Sequence, residues 1–360
     1  MQSKGFSFKG QNIFIGIDVH LKQWSVAIMT ESGLVEKFSQ ISEAAVLSSH
    51  LKKKYPEGDY YSVYESGFCG FSAHYSLEAL GIKNIVINAA DVPSTQKENI
   101  NKTDKVDASK LVKSLRAGLL HPIHIPALAT LADRELVRTR EAIVKDNARW
   151  KIRIKHFLYR QGIKYPEKFA NPKTHWSRRF VQWLEEDVSG MIGNNKDALF
   201  QHLSSYKQVR SQLLEITRAI RTMSRRSEYG SNMELLTSIP GIGFHTAISF
   251  LTEMGNVDRF SNERELASFI GLVPTCHSSG EKENAGSMTF RGNKHLRNKL
   301  IESAWIAVRR DMAMAACYSK YCKTMDENKA IVRIAHKLSN RILTVLKRKT
   351  KYVNAKNDQY

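Results

Sequence analysis

The sequence predicts an α/β domain at its amino end, then a long helical segment, then a mainly α-helical domain. Strand-like and helix-like segments alternate as far as Ile125, and two long charged stretches free of Gly and Pro follow. From Leu235 shorter helix signals recur between turns. Pro122 and Pro126 punctuate the first boundary. The expected divisions are residues 1–126, 127–230 and 231–348, with a basic tail over 349–360.

Asn12–Asp18 is rich in Ile and reads as a strand. Gln23–Thr30 and Leu34–Ser39 read as two more, joined by a turn at Glu31–Gly33. Glu43–Lys54 is helix-like. Tyr60–Glu65 is a short apolar strand ended by Ser66-Gly67, and Ser72–Leu80 a helix stopped by Gly81. Asn84–Asn88 is another strand, and Asp104–Ala117 a helix closed by Gly118. Hairpin-linked strands followed by strand–helix alternation imply a mixed sheet covered by helices, which is the ribonuclease H-like order.

Asp133–Arg160 and Asn195–Arg225 are the two long helices. In the second, Leu199, Leu203, Tyr206, Leu213, Ile216, Ile220 and Met223 step by three and four residues, with Arg210 in the seam. That spacing suits a coiled coil between subunits or a helical hairpin within one. Further helices are expected at Thr246–Met254, Glu263–Ile270, His295–Arg310 and Lys329–Lys347. The last carries Lys329, Arg333, Lys337 and Arg341 at four-residue steps, opposite Ile331, Ile334, Leu338, Ile342 and Val345. One face is core and the other a basic ridge suited to a phosphate backbone.

Charge narrows the function. Against 35 Asp and Glu stand 55 Lys and Arg, a formal excess of +20 over 360 residues. Such a chain repels itself unless an anionic partner neutralises it, and nucleic acid is the commonest one. A hydrophobic content of 42% argues against intrinsic disorder. Cys69, Cys276, Cys317 and Cys322 are too scattered for a disulfide framework, and no second Cys/His pair gives Cys317 and Cys322 a zinc spacing. No apolar run approaches the roughly 20 residues of a membrane span. The opening MQSKGFSFKGQ lacks a signal-peptide core. A cytoplasmic, nucleoid-associated protein with no membrane partner is expected.

Four carboxylates stand out. Asp18 ends the first strand and Glu65 the fourth, and these strands lie side by side in a ribonuclease H-like sheet. Asp104 and Asp107 stand three apart at a helix start, hence on one face. Together they form a cluster that is unfavourable empty and favourable around hard divalent cations. Two Mg²⁺ ions roughly 3.5–4 Å apart are expected there, a pair able to polarise a phosphodiester. Each acid alone also has a plain role, as helix cap or strand-end turn.

In the second half, Ile239-Pro-Gly-Ile-Gly243 resembles a helix-hairpin-helix turn, with Gly241 and Gly243 leaving amides free for a phosphate. An ordinary interhelical turn has the same composition. Gly271-Leu-Val-Pro-Thr-Cys-His-Ser-Ser-Gly280 then approaches a small-residue turn, and Lys282, Arg291, Lys294, His295 and Arg297 follow. A serine hydroxyl needs help to act as a nucleophile, and metals and guanidinium groups supply it at phosphorus.

Gly16-Ile-Asp18, Tyr64-Glu-Ser-Gly67, Asn101-Lys-Thr-Asp-Lys-Val-Asp-Ala108, Ile239-Pro-Gly-Ile-Gly243, Ser279-Gly280 and Arg291-Gly-Asn-Lys-His-Leu-Arg297 occur in this order. In this the chain resembles the insertion-sequence-110 family of DEDD transposases over nearly its whole length, least between about residues 130 and 230. The resemblance implies a RuvC-like domain with Asp18, Glu65, Asp104 and Asp107, then a coiled coil, then a transposase domain with a nucleophilic serine. By position that serine is Ser279, with the adjacent Ser278 as the alternative and Ser287 a distant third choice. It further implies a homodimer or homotetramer, the acids of one subunit assisting the serine of another. A structured noncoding guide RNA, the bridge RNA, would choose donor and target DNA by base pairing. Two rivals remain at this point: a metal-dependent Holliday-junction nuclease using water, and a non-catalytic RNA or DNA scaffold.

Overall fold

The computed structural model describes residues 7–93, 104–186, 188, 193–279, 282–289 and 291–353. They form two units, Met1–Ile125 and Pro126–Tyr360.

The first unit is a five-stranded sheet in the order β3-β2-β1-β4-β5. Its strands are β1 (Asn12–Val19), β2 (Gln23–Thr30), β3 (Gly33–Ile41), β4 (Asp59–Glu65) and β5 (Lys83–Ile87). The first three pair antiparallel through hairpins, whereas β4 joins β1 and β5 joins β4 in parallel. Parallel neighbours need a crossover, and α1 (Ala44–Lys54) and α2 (Ser72–Ala79) supply the two.

Side-chain alternation in β1 decides what covers each face. Ile13, Ile15 and Ile17 are fully buried with Leu47, Leu51 and Leu77 of the crossover helices. At about 1.5–3 kcal/mol each, those three isoleucines anchor the strand. Phe14 and Gly16 face the other way, under α3 (Asp104–Arg116), where Ala27, Met29, Ala108 and Val112 pack together. Helices on both faces explain why β2 reads as a nearly continuous buried run rather than an alternating one.

Two contacts fix the direction of α3. At its carboxyl end Arg116 Nη2 donates to Glu31 O at 2.5 Å, in the β2–β3 turn. That turn adjoins the start of β1, where Asn12 Nδ2 donates to Glu31 Oε1 at 3.3 Å. So α3 runs antiparallel to β1, and its amino end lies over the carboxyl end of the strand. Gly16 allows the close approach: a Cβ there would collide with the Ala108 carbonyl and stand 2.6 Å from Val112 N.

The second unit opens with α4 (Leu128–Arg160), which packs along α6 (Asn194–Met223). Arg226 Nη1 meets Asp133 Oδ1 at 3.0 Å, Arg140 Nε donates to Thr217 Oγ1 at 3.0 Å, and the Phe157 and His202 rings lie 5.7 Å apart. One partner's number rises as the other's falls, so the pair is an antiparallel hairpin within the chain. It links two cores. At its tip Ile154, Phe157, Leu199, Leu203 and Tyr206 pack with α5 (Arg178–Glu186). At its base Val137, Ile220 and Met223 join the larger core. Between those ends the seam residues Leu213 and Ile216 are only half-buried.

That larger core is built by α7 (Gly230–Thr237), α8 (Phe244–Met254), α9 (Glu263–Ile270), α10 (Lys294–Arg310), α11 (Met312–Cys322) and α12 (Glu327–Arg348). The apolar face of α12 is buried as its spacing predicts. Where residues 271–280 are expected as an approach to a turn, Pro274–Ser279 is a strand, β6, paired antiparallel with β7 (Lys282–Met288) in a hairpin. Short helices α5, α7 and α11 also went without a sequence signal. Among the described residues no helix is long and apolar enough to cross a membrane.

Candidate functional site

In the first unit, register brings the candidate acids to one sheet edge. Gly16 of β1 pairs with Val63 of β4, and Ile17 with Tyr64. Asp18 and Glu65 are the next residues along each strand. Two residues beyond Gly16 and Val63, they share the face on which those residues meet α3. Because α3 enters from that same edge, its first turn carries Asp104 and Asp107 over the strand ends. Asp107 is half-buried, and Asp104 stands one turn before the buried Ala108. The side chain of Asp104 lies outside the described ones, as do residues Asn101 to Thr103 of the motif. Asp18 and Glu65 are each half-buried, and His20 Nε2 lies 3.1 Å from Asp18 Oδ2. Sequence reading missed His20, which follows the end of β1 two residues after Asp18.

All four acids offer hard carboxylate oxygen, the donor set of Mg²⁺ rather than of zinc or copper. Among the described residues no three His, Cys, Asp or Glu side chains are grouped closely enough to hold a metal. The juxtaposition rests on strand register and helix direction, and a cation of this class fits it by donor chemistry.

In the second unit Ser279 ends β6, its backbone paired with Lys282 across the turn. The side chains of Ser278, Ser279, Lys282 and Ser287 lie outside the described set, as do Gly280 and Glu281. Beyond the hairpin, Arg291 and Lys294 are exposed. Arg297 is half-buried, and its guanidinium donates to the carbonyls of Arg291 (2.7 Å) and Ile270 (3.4 Å).

The Pro-Gly-Ile-Gly segment joins α7 to α8, and no side chain caps α8 at Gly243. Gly241, at φ +94°, presses on α10: a Cβ would collide with the Ser303 carbonyl and reach 3.0 Å from Ala307 N. Cations gather at this turn. The Arg221 guanidinium lies 4.8 Å from the Phe244 ring centre. Burial, then the positive field of Arg140, Lys299 and Arg221, pushes His245 down to about 4, so the imidazole is neutral at physiological pH. Arg140 is itself lowered by burial and by Arg221. None of Arg140, Arg221 or Lys299 was singled out in the sequence, because they come from three different helices.

Along α12, Lys329 and Arg333 are exposed, Arg333 beside the Tyr321 ring, and Lys337 is half-buried. Arg341 is used differently, its Nη1 lying 2.5 Å from the buried Asp311 Oδ2.

Comparison with known proteins adds the decisive finding. A family model described as Transposase, for DEDD transposases of the IS110 type, matches residues 15–161. A second, described as Transposase IS116/IS110/IS902 family, matches residues 233–319. The chain belongs to the IS110 family of transposases. It is similar to a putative transposase of Sinorhizobium fredii, 26% identical over 95% of this chain and 92% of that protein. The transposase for insertion sequence element IS1111A of Coxiella burnetii is 25% identical over 79% of this chain and 77% of its own. A pilin gene-inverting protein of Moraxella bovis is 27% identical, with 64% and 71% covered. As an IS110-family transposase the protein is an enzyme of DNA cleavage and strand transfer. The first match takes in all four acids, and the second the Pro-Gly-Ile-Gly turn, the β6–β7 hairpin and the Arg291–Arg297 segment.

Proposed function

We propose that this transposase cleaves and rejoins DNA through a covalent phosphoserine at Ser279, guided by a structured noncoding RNA. The acids of one copy serve the serine of another in a homodimer or homotetramer. One observation above all supports this: Asp18 and Glu65 stand side by side, each one residue past the Ile17–Tyr64 pair, at the edge where α3 begins with Asp104 and Asp107. An edge of four acids has no obvious use in a chain of charge +20 except to handle a cation beside nucleic acid.

Asp18, Glu65, Asp104 and Asp107 would hold Mg²⁺, two ions by the number of carboxylates. When bound, such ions neutralise charge developing on a phosphodiester. The chain's own part is as follows. Ser279 Oγ loses its proton and bonds to phosphorus, while the bond from phosphorus to a deoxyribose hydroxyl oxygen breaks and that oxygen takes up a proton. The phosphoserine keeps a phosphodiester's bond energy, so the hydroxyl of another strand can attack it, release the serine and reseal DNA without ATP. Lys329, Arg333, Lys337, Arg291, Lys294 and Lys282, with the Gly241–Gly243 turn, hold phosphates of DNA or RNA. Base pairing by the RNA selects the sequence, leaving the protein to read backbone and shape.

The test is recombination by the full chain with Mg²⁺ and RNA transcribed from the element's noncoding flank. Ser279→Ala is expected to bind RNA and DNA normally and form no protein–DNA adduct on a denaturing gel. Asp104→Asn is expected to lose activity that added Mg²⁺ restores poorly. Recombination by the alanine variant would refute the serine, and undiminished exchange by the asparagine variant would refute the cluster. Hydrolysis without any adduct would point instead to a junction-type nuclease.

A further inference from the structure

The β6–β7 hairpin leaves and rejoins the helical core through a narrow clasp. Gly271, at φ +83°, ends α9 just before β6, and Gly292, at φ +111°, follows β7. Their backbones touch: a Cβ on Gly292 would stand 2.6 Å from both Gly271 Cα and Gly271 N. Only glycine combines that φ with that approach. Thr289 N–H donates to Val273 O at 3.1 Å, and Asn293 N–H to Phe269 O at 2.8 Å, so the stems are also hydrogen-bonded. Asn293 Oδ1 caps α10 through Leu296 N–H, and its Nδ2 donates to Glu253 Oε2 at 2.7 Å. Glu253, buried on α8, is held by Arg138 at 2.7 and 2.9 Å.

Arg297 closes the clasp. One guanidinium donates to the carbonyl of Ile270, before the hairpin, and to that of Arg291, after it. Two donors in a rigid plane can join two chain segments in a way that a single ammonium cannot. We propose that Arg297 is a positioning residue: with Gly271 and Gly292 it fixes both stems of the hairpin, and so the place of Ser279, instead of contacting nucleic acid. This rests on the reading of Ser279 as nucleophile.

The test compares Arg297→Lys, Arg297→Ala and Gly292→Ser in the full chain. Lysine keeps the charge and loses the fork; serine at 292 opens the clasp from the opposite side. All three are expected to speed amide hydrogen exchange in β7 at least tenfold while α8 and α10 exchange as in the wild type. Adduct formation at saturating DNA is expected to slow at least tenfold. Affinity for a random 30-base-pair duplex, and its dependence on salt, should stay unchanged.

Wild-type exchange and adduct rates in Arg297→Lys would overturn the proposal. A salt slope shallower by about one in Arg297→Ala would also overturn it, since that is the mark of a lost phosphate contact. Faster exchange with undiminished adduct formation would show that hairpin geometry does not govern the reaction, and exchange rising equally in α8 and α10 would make the clasp a general fold element. Both results count against the positioning role. An adduct surviving in Ser279→Ala is a separate result, the failure of the serine reading itself.

Discussion

Arg341 and Lys337 stand one turn apart on α12, yet their charges are used differently. Asp311 is fully buried, caps α11 through Met314 N–H at 3.0 Å, and takes hydrogen bonds from Arg341 and from Tyr352 Oη at 2.8 Å. Burial pushes its carboxyl up, but Arg341, Met314 N–H and Tyr352 together outweigh that and hold it below the ordinary value. A lowered carboxyl stabilises the fold above its unfolded pKa, and that contribution disappears as pH falls through the folded value. Arg341→Met would leave the carboxylate buried without its cation, at a cost of about 3 kcal/mol near neutral pH. Acidification protonates the stranded Asp311, so the gap from the wild type is expected to narrow in denaturant titrations run from pH 7 down to pH 4. Lys329→Ala and Lys337→Ala should instead leave stability within about 0.5 kcal/mol and each reduce the salt slope of duplex binding by about one. The four-residue spacing of these cations was legible in the sequence. The diversion of Arg341 was not, because Asp311 lies in a different helix and nothing local announces the pair.

At the scale of elements, α3 is held by the absence of a side chain beneath it. Gly16→Ala would drive a methyl group into the Ala108 carbonyl, and that backbone can yield only if the helix moves off β1. Overpacking of this kind costs about 1–3 kcal/mol. The shift falls on the end that carries Asp104 and Asp107, so strand exchange is expected to drop further than the melting temperature implies. Activity measured well below the melting point, with hydrogen exchange to confirm that β1 stays paired, checks this. Activity that merely tracks the folded fraction would show that the helix's placement is not critical. The strands of the first unit and the long helices were legible because apolar periodicity and Gly or Pro stops agree over many residues. β7 was not: Lys-Glu-Asn-Ala-Gly-Ser-Met has no β-branched residue and little to bury, so its pairing depends on β6 and on the clasp at its base. Glu253 is the one acid in its helix, but its partners Arg138 and Asn293 lie 115 and 40 residues away.

At the scale of the molecule, the acids and the serine belong to units that pack separately, Met1–Ile125 and Pro126–Tyr360. Damage to one chemical group therefore leaves the core that supports the other intact. A local substitution such as Asp107→Asn need not disturb β6, nor Ser279→Ala the sheet. The sequence carried this level through motif order, which spans both family matches, while the guide and the number of copies are written in no single motif. Proteins defective at opposite ends can probe the point directly. If the carboxylates of one copy act on the phosphate attacked by the serine of another, co-expressed Asp107→Asn and Ser279→Ala chains contain some pairings with both groups intact. Recombination of a reporter plasmid is then expected to rise well above that of either variant alone, and the adduct to form only on the Asp107→Asn chain, which retains Ser279. Differently sized tags on the two chains would identify which one carries the DNA. Mixed assemblies recovered through both tags but inactive would place the acids and the serine in the same copy, and the reading of one subunit serving another would be lost.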